Sequence, residues 1–294
     1  MELADRLLPW FAACARDLPW RREGSSGWGV LVSEVMLQQT PVPRVEPVWT
    51  AWIQRWPVPS AMAAAPAAEV LRAWGKLGYP RRALRLHDAA AVIAAEHGDV
   101  VPDDVDTLLA LPGIGVYTAR AVAAFAYGSR CPVVDTNVRR VVARAVHGRA
   151  DAGPAATRDL ADTEALLPDD AAGAARMSAA LMELGACVCV ARAPHCDRCP
   201  VRAECAWTRR GRPAGDGPPR PAQRFAGTDR QVRGRLLDVL RGAPGPVAAA
   251  LLVAAWTTDP AQRARCLDSL LVDGLVEQRA DGRFALPGEV GPAT

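Results

Sequence analysis

A chain of 294 residues, half of them hydrophobic, has room for two or three domains and too much apolar surface to remain disordered. Its formal net charge of +3 does not announce a nucleic-acid partner, so any such surface must come from local clustering of cations. No signal sequence opens the chain and no run of about 18 apolar residues occurs, which predicts a soluble, cytoplasmic protein and argues against reading its eight cysteines as a disulfide framework.

The cations are almost all arginine, Lys76 being the one lysine. Residues 2–16 predict an amphipathic helix around Leu3, Leu7, Leu8 and Phe11, followed by Leu18-Pro19-Trp20-Arg21 and a Gly/Ser loop. The next helix, Trp28 to Gln39, carries an apolar stripe and ends before Pro41. Within it Glu34 is flanked by Val32, Val35, Met36 and Leu37. Burial among them raises the carboxyl's pKa, which suits a general acid near neutral pH. Helices are expected at 43–55, 66–76 and 81–96, with Gly75-Lys76-Leu77-Gly78-Tyr79-Pro80 turning between the last two.

Leu111-Pro112-Gly113-Ile114-Gly115 is a turn that opens the helix Val116–Tyr127. Its two glycines permit positive φ and leave backbone N–H groups uncovered at a helix N-terminus, an arrangement that binds phosphate. Asp135 stands at the N-cap of the helix that follows, whose Val138, Val141, Val142 and Ala145 share one face. Alanine-rich helices are expected at 156–167 and 171–186. Five of the eight cysteines then crowd into 187–205, and Cys189, Cys196, Cys199 and Cys205 are spaced C-x6-C-x2-C-x5-C. Four thiolates in one loop hold either zinc or an iron–sulfur cluster, and only one CxxC pair occurs where zinc ribbons show two.

Residues 208–224 read as a Pro/Gly/Arg linker. Helices at 228–241, 247–256 and 259–273, with a hairpin over 274–286, predict a winged helix.

Over residues 5–210 these motifs, in this order, resemble the endonuclease III superfamily of DNA glycosylases, with a helix-hairpin-helix, a Gly/Pro-rich loop and an aspartate. The segment Ser33 to Thr40, SEVMLQQT, resembles the MutY-type adenine DNA glycosylases. The cysteine spacing is that of the superfamily's cluster loop and implies a 4Fe-4S cofactor. The resemblance implies an all-α, two-lobed fold with a cleft between the lobes. One lobe is the six-helix unit 28–128 and the other joins 1–27 to 129–210; a linker at 211–226 and a winged-helix-like domain at 227–294 complete the chain. Longer members of the family end in a Nudix-like domain that the last 70 or so residues are too few to form.

The implied reaction is base excision repair: hydrolysis of the N-glycosidic bond of adenine mispaired with 8-oxoguanine or guanine. Glu34 protonates the base and Asp135 stabilises the sugar cation, with Tyr117 and Asn137 counted beside them as catalytic candidates. Gln38, Gln39 and Tyr79 face the duplex, Leu111, Gly113 and Gly115 its phosphates, and Trp20 and Arg21 the base pocket. Arg192, Arg198 and Arg202 are expected to lie against phosphates. Tyr117 occupies the position of the Schiff-base lysine of superfamily members that also nick the strand, so a monofunctional enzyme is expected, acting as a monomer on double-stranded DNA of the bacterial nucleoid. Two positions depart from the pattern: Pro80 replaces the second tyrosine of GLGYY, and Ala179 stands where relatives carry a glutamine or glutamate toward the base. A mismatched-thymine or oxidised-pyrimidine glycosylase of the same superfamily, or a non-catalytic DNA-binding iron–sulfur protein, are the competing readings.

Overall fold

The computed structural model describes residues 3–215 and 225–289. Fifteen α-helices and one short hairpin make up its regular structure among those residues. They are α1 Leu3–Cys14, α2 Gly27–Leu37, α3 Val42–Arg55, α4 Pro59–Ala63, α5 Ala67–Trp74, α6 Arg81–Glu96, α7 Val105–Ala110, α8 Val116–Tyr127, α9 Thr136–Ala145, α10 Arg158–Glu164, α11 Ala171–Cys187, α12 Ala206–Arg209, α13 Asp229–Gly242, α14 Ala249–Ala255 and α15 Pro260–Val272. Strands β1 Glu277–Gln278 and β2 Phe284–Ala285 pair antiparallel. No helix among the described residues is long and apolar enough to cross a membrane.

The fold is all-α, as the apolar periodicities require. Helices α4, α7 and α12 are additions to the sequence expectation, so seven α-helices rather than six lie between residues 28 and 128. At four to six residues each, they are too short to show a period. The 156–167 helix shrinks to α10. Most of the expected linker, residues 216–224, lies outside the described residues, as do the last five of the C-terminal domain.

The chain divides into two compact units. The first comprises residues 1–34, 102–110 and 114–219; the second, 35–101, 111–113 and 220–294.

In the first unit α1, α9 and α11 pack around Leu7, Val138, Val141, Val142, Met177, Leu181 and Leu184. In the second, Trp52, Trp56 and Trp74 meet edge to face, with ring centroids 5.1 and 5.5 Å apart, beneath α3 and α5. The C-terminal residues belong to this second unit and dock α13 against α5. Three helices and a pair of two-residue strands make up this small module, with Val247 bridging to Phe284.

Candidate active site

Helix α2 is largely apolar, and Trp28 through Met36 are all buried. A helix of that kind belongs inside. Ser26 starts it by accepting a hydrogen bond from Gly29 N at 3.1 Å. Glu34 is therefore carried into the interior and is 5 % exposed. Desolvation pushes its carboxyl up to about 7, although the Tyr117 hydroxyl, which donates to Oε2 at 2.8 Å, and the charge of Arg21 both favour the ionised form. The negative charge of Asp135 acts in the same direction as burial.

Asp135 caps α9 as its sequence position required. Oδ1 accepts from Asn137 N at 2.8 Å and Val138 N at 2.7 Å, and Oδ2 accepts from Asn137 Nδ2 at 2.7 Å. Asn137 is held in turn by Arg140, whose Nη2 donates to Asn137 Oδ1 and to Gly185 O, each at 2.7 Å. Gly185 is required there: a Cβ would fall 2.7 Å from Asn137 Cβ and 2.8 Å from its carbonyl oxygen. Sequence reasoning set an apolar environment for Glu34 against a hydrogen-bonded one for Asp135. The structure buries Glu34 and half-buries Asp135, and desolvation raises Asp135 too, against the three N–H donors and Arg140 that favour its carboxylate. Tyr117 senses both acids, its hydroxyl being pushed well above its ordinary pKa by burial and then by Glu34 and Asp135.

A third carboxylate was not singled out from the sequence. Glu183, 1 % exposed on α11, is gripped by Arg16 at 2.6 and 2.9 Å and by Arg21 at 2.8 Å. Burial alone would raise its pKa, but the two guanidinium groups outweigh it and hold the carboxyl at about 2. Arg21 thus acts electrostatically on both Glu34 and Glu183. The acidic group of α11 stands one helical turn beyond Ala179. Trp20 is buried beside Arg21 in the short turn Pro19–Arg21.

In the second unit, Gln39 and Tyr79 are non-glycine residues in the left-handed region, at φ 56° and 47°. One buried side chain ties their two segments together. Arg82 donates to Val35 O at 2.6 Å, Met36 O at 3.0 Å, Thr40 Oγ1 at 3.0 Å and Gly78 O at 3.0 Å. Its guanidinium also lies 5.0 Å from the Trp74 ring and 5.6 Å from the Tyr79 ring. Burial lowers its pKa to about 10, which leaves it charged at neutral pH. Tyr79 is 46 % exposed and Gln39 is exposed, whereas Gln38 is half-buried.

Of the hairpin residues, Gly113 has φ 73° and a Cβ there would strike Arg85 Cβ at 2.6 Å. Gly115 departs from the expectation: as the N-cap of α8 it is extended, at φ −100°. Nothing lies within 4 Å of where its Cβ would be, so its need is open space rather than positive φ. Leu111 is a core residue, 3 % exposed.

Cys189, Cys196, Cys199 and Cys205, all free thiols, line one cavity with Arg144, Arg202 and Trp207. Burial raises the Cys199 thiol to about 11, with repulsion from the other three cysteines adding to it. A thiol set of this kind ionises only around a cation. Four sulfurs lining one hollow are the donor set of a zinc ion or of an iron–sulfur cluster. Arg144, 5 % exposed, binds the loop through Val190 O at 2.7 Å, Ala191 O at 3.0 Å and Cys189 Sγ at 3.4 Å, while Arg140 Nε reaches Cys189 O at 2.7 Å. Arg192, Arg198 and Arg202 are exposed.

A helix-hairpin-helix leading to a capped aspartate defines a class. Residues 32–163 match the model of the HhH-GPD superfamily base excision DNA repair proteins. The chain is 68 % identical over 283 residues to the adenine DNA glycosylase of Mycolicibacterium smegmatis, covering 96 % of this chain and 95 % of that one. It is 64 % identical over 284 residues to that of Mycobacterium tuberculosis, covering 96 % and 93 %. Among solved structures, a thermostable thymine-DNA glycosylase superposes with a TM-score of 0.64 at 25 % identity, over 70 % of this chain and 95 % of that one. The chain belongs to the adenine DNA glycosylase family.

Proposed function

We propose that this protein is a monofunctional base-excision-repair enzyme that hydrolyses the N-glycosidic bond of adenine mispaired with 8-oxoguanine or guanine in double-stranded DNA of the nucleoid, acting as a monomer. The observation that carries the reading is a buried glutamic acid, Glu34, titrating near neutral pH beside the N-capped aspartate Asp135 in one unit. Protonated Glu34 delivers its proton to a ring nitrogen of the adenine as the bond to the sugar breaks. Asp135, fixed by Asn137 and the first turn of α9, faces the positive charge that develops on the sugar and stabilises it. Tyr117 orients Glu34 through its hydroxyl. Arg21, with Trp20, binds the extruded base, and Glu183 fixes the direction of the Arg21 guanidinium. Tyr79 and Gln39 fill the space that the flipped nucleotide leaves, and the N–H groups of the 111–115 turn hold phosphate.

Cys189, Cys196, Cys199 and Cys205 would hold a 4Fe-4S cluster, whose contribution is to order the loop that carries Arg192, Arg198 and Arg202 toward the DNA backbone. With Tyr117 at the place of a nucleophilic lysine, no Schiff base forms there.

Single-turnover excision tests the reading, on duplexes carrying adenine opposite 8-oxoguanine, adenine opposite guanine, thymine opposite guanine, or an oxidised pyrimidine, each with and without hot alkali. Strand breaks at adenine that appear only after alkali are expected. Loss of thymine instead would favour the activity named for the structural neighbour and refute the adenine assignment.

A further inference from the structure

The third helix of the C-terminal module, α15, turns its two arginines to the module itself. Both arginines of α15 are engaged: Arg263 donates to Trp256 O at 2.7 Å and Arg265 pairs with Asp229 at 2.8 Å. The module also grips the segment around Tyr79, from both flanks. Arg241 on α13 donates at 3.1 Å to the carbonyl of Leu71, in the last turn of α5. That carbonyl has lost its usual partner, since Gly75 N turns to Arg72 O. Arg72 donates to Ala243 O at 2.9 Å and pairs with Glu289, which is 5 % exposed. Asp238 faces Lys76 at 3.6 Å. Past the turn, Asp273 is shared between Arg81 at 3.1 Å and Arg233 of α13 at 2.6 Å. Residues 71, 72, 76 and 81 are thus all held, and the stretch between them contains Gly75, Gly78 and Tyr79 at positive φ.

We propose that the module is a positioning device for the Tyr79 wedge: its α13 and the Asp273 and Glu289 side chains hold the 75–80 turn in its strained form so that Tyr79 enters the duplex without first having to be ordered. A left-handed non-glycine residue is strained and persists only where its surroundings over-determine it. Pro80 removes one escape, since a residue before proline disfavours the right-handed helical region. Arg82 fixes the turn from the inside, and the C-terminal module fixes its two ends. The exposed Lys76–Asp238 pair contributes little. The half-buried Arg241 and Arg72, the latter against the buried Glu289, carry the attachment.

The inference rests on Tyr79 being the wedge, and the test separates the two. Single-turnover excision by the full chain is measured on two duplexes with the same adenine opposite 8-oxoguanine, one flanked by G·C pairs and the other by mismatches that already loosen the stack. Tyr79→Ala should slow excision about tenfold on the first and less than about twofold on the second. Arg241→Ala and the milder Asp273→Asn should show the same selective loss, and Tyr79→Ala/Arg241→Ala should be no slower than Tyr79→Ala alone. If Tyr79→Ala is selective but neither module variant is, or if the module variants lose both duplexes equally, the positioning role is wrong and the wedge stands. A Tyr79→Ala loss that is equal on both duplexes overturns the wedge and the inference together.

Discussion

Tyr117 donates a hydrogen bond from its hydroxyl to Glu34 Oε2 over 2.8 Å, so the side chain expected at the lysine position of strand-nicking relatives tunes a buried acid. That bond favours the ionised carboxylate against burial, which drives it to about 7. Excision should need Glu34 protonated and decline as pH rises through 7. Tyr117→Phe removes the contact, so it should move the alkaline limb of the single-turnover pH profile to higher pH. An unmoved limb would mean that another group controls it.

The same burial has a stability counterpart with a definite sign. Glu34 titrates near 7 folded against 4.5 as an unperturbed group, so its favourable contribution is complete below 4.5 and is lost as pH rises through 7. The ionised form costs the fold about 3 kcal/mol. Glu34→Gln should therefore abolish excision yet raise the melting temperature at pH 8 relative to the parent, with little change at pH 4.5. Thermal melts at the two pH values check it.

Asp135 has two jobs that substitution can separate. Asparagine caps helices as well as aspartate does, so Asp135→Asn should eliminate base release while leaving stability within about 1 kcal/mol. Asp135→Ala should lose the same activity and the cap as well. Urea melts paired with excision assays distinguish them.

Gly185→Ala should act at a distance from any substrate contact. Its methyl group would push on the Cβ and backbone carbonyl of Asn137, the residue whose side chain donates to Asp135 Oδ2. Excision should fall by at least about tenfold with duplex affinity retained, as expected of a small displacement of a group that acts only in the transition state.

Cys199→Ser should remove the broad visible absorption of a cluster from the purified protein and lower its melting temperature, because the Arg144 contacts to Val190 O, Ala191 O and Cys189 Sγ depend on an ordered loop. Retention of the absorption would exclude Cys199 as a ligand.

What the sequence made legible was local. Asp135 could be read as a cap because its acceptors and donors lie two and three residues apart, and Glu34 as a perturbed acid because its buried neighbours adjoin it in the chain. Glu183 could not, since its character comes from Arg16 and Arg21, more than 160 positions away. Arg82 carries no signal in the sequence that sets it apart from Arg81 at the start of α6. Only the fold turns it inward, onto the carbonyls of α2. The C-terminal hairpin and helices were readable as a winged helix from period and turn residues. Their attachment to α5 was not, because it runs through arginine–carbonyl contacts that leave no pattern.

Lys76 is the chain's one lysine, its side chain 85 % exposed beside the Tyr79 turn. Amine-directed chemistry therefore has a single side-chain target, so a fluorophore attached there reports on that turn without any engineered residue. Acylation of the same amine erases the charge facing Asp238, which makes one covalent step both a probe of the segment and a perturbation of it.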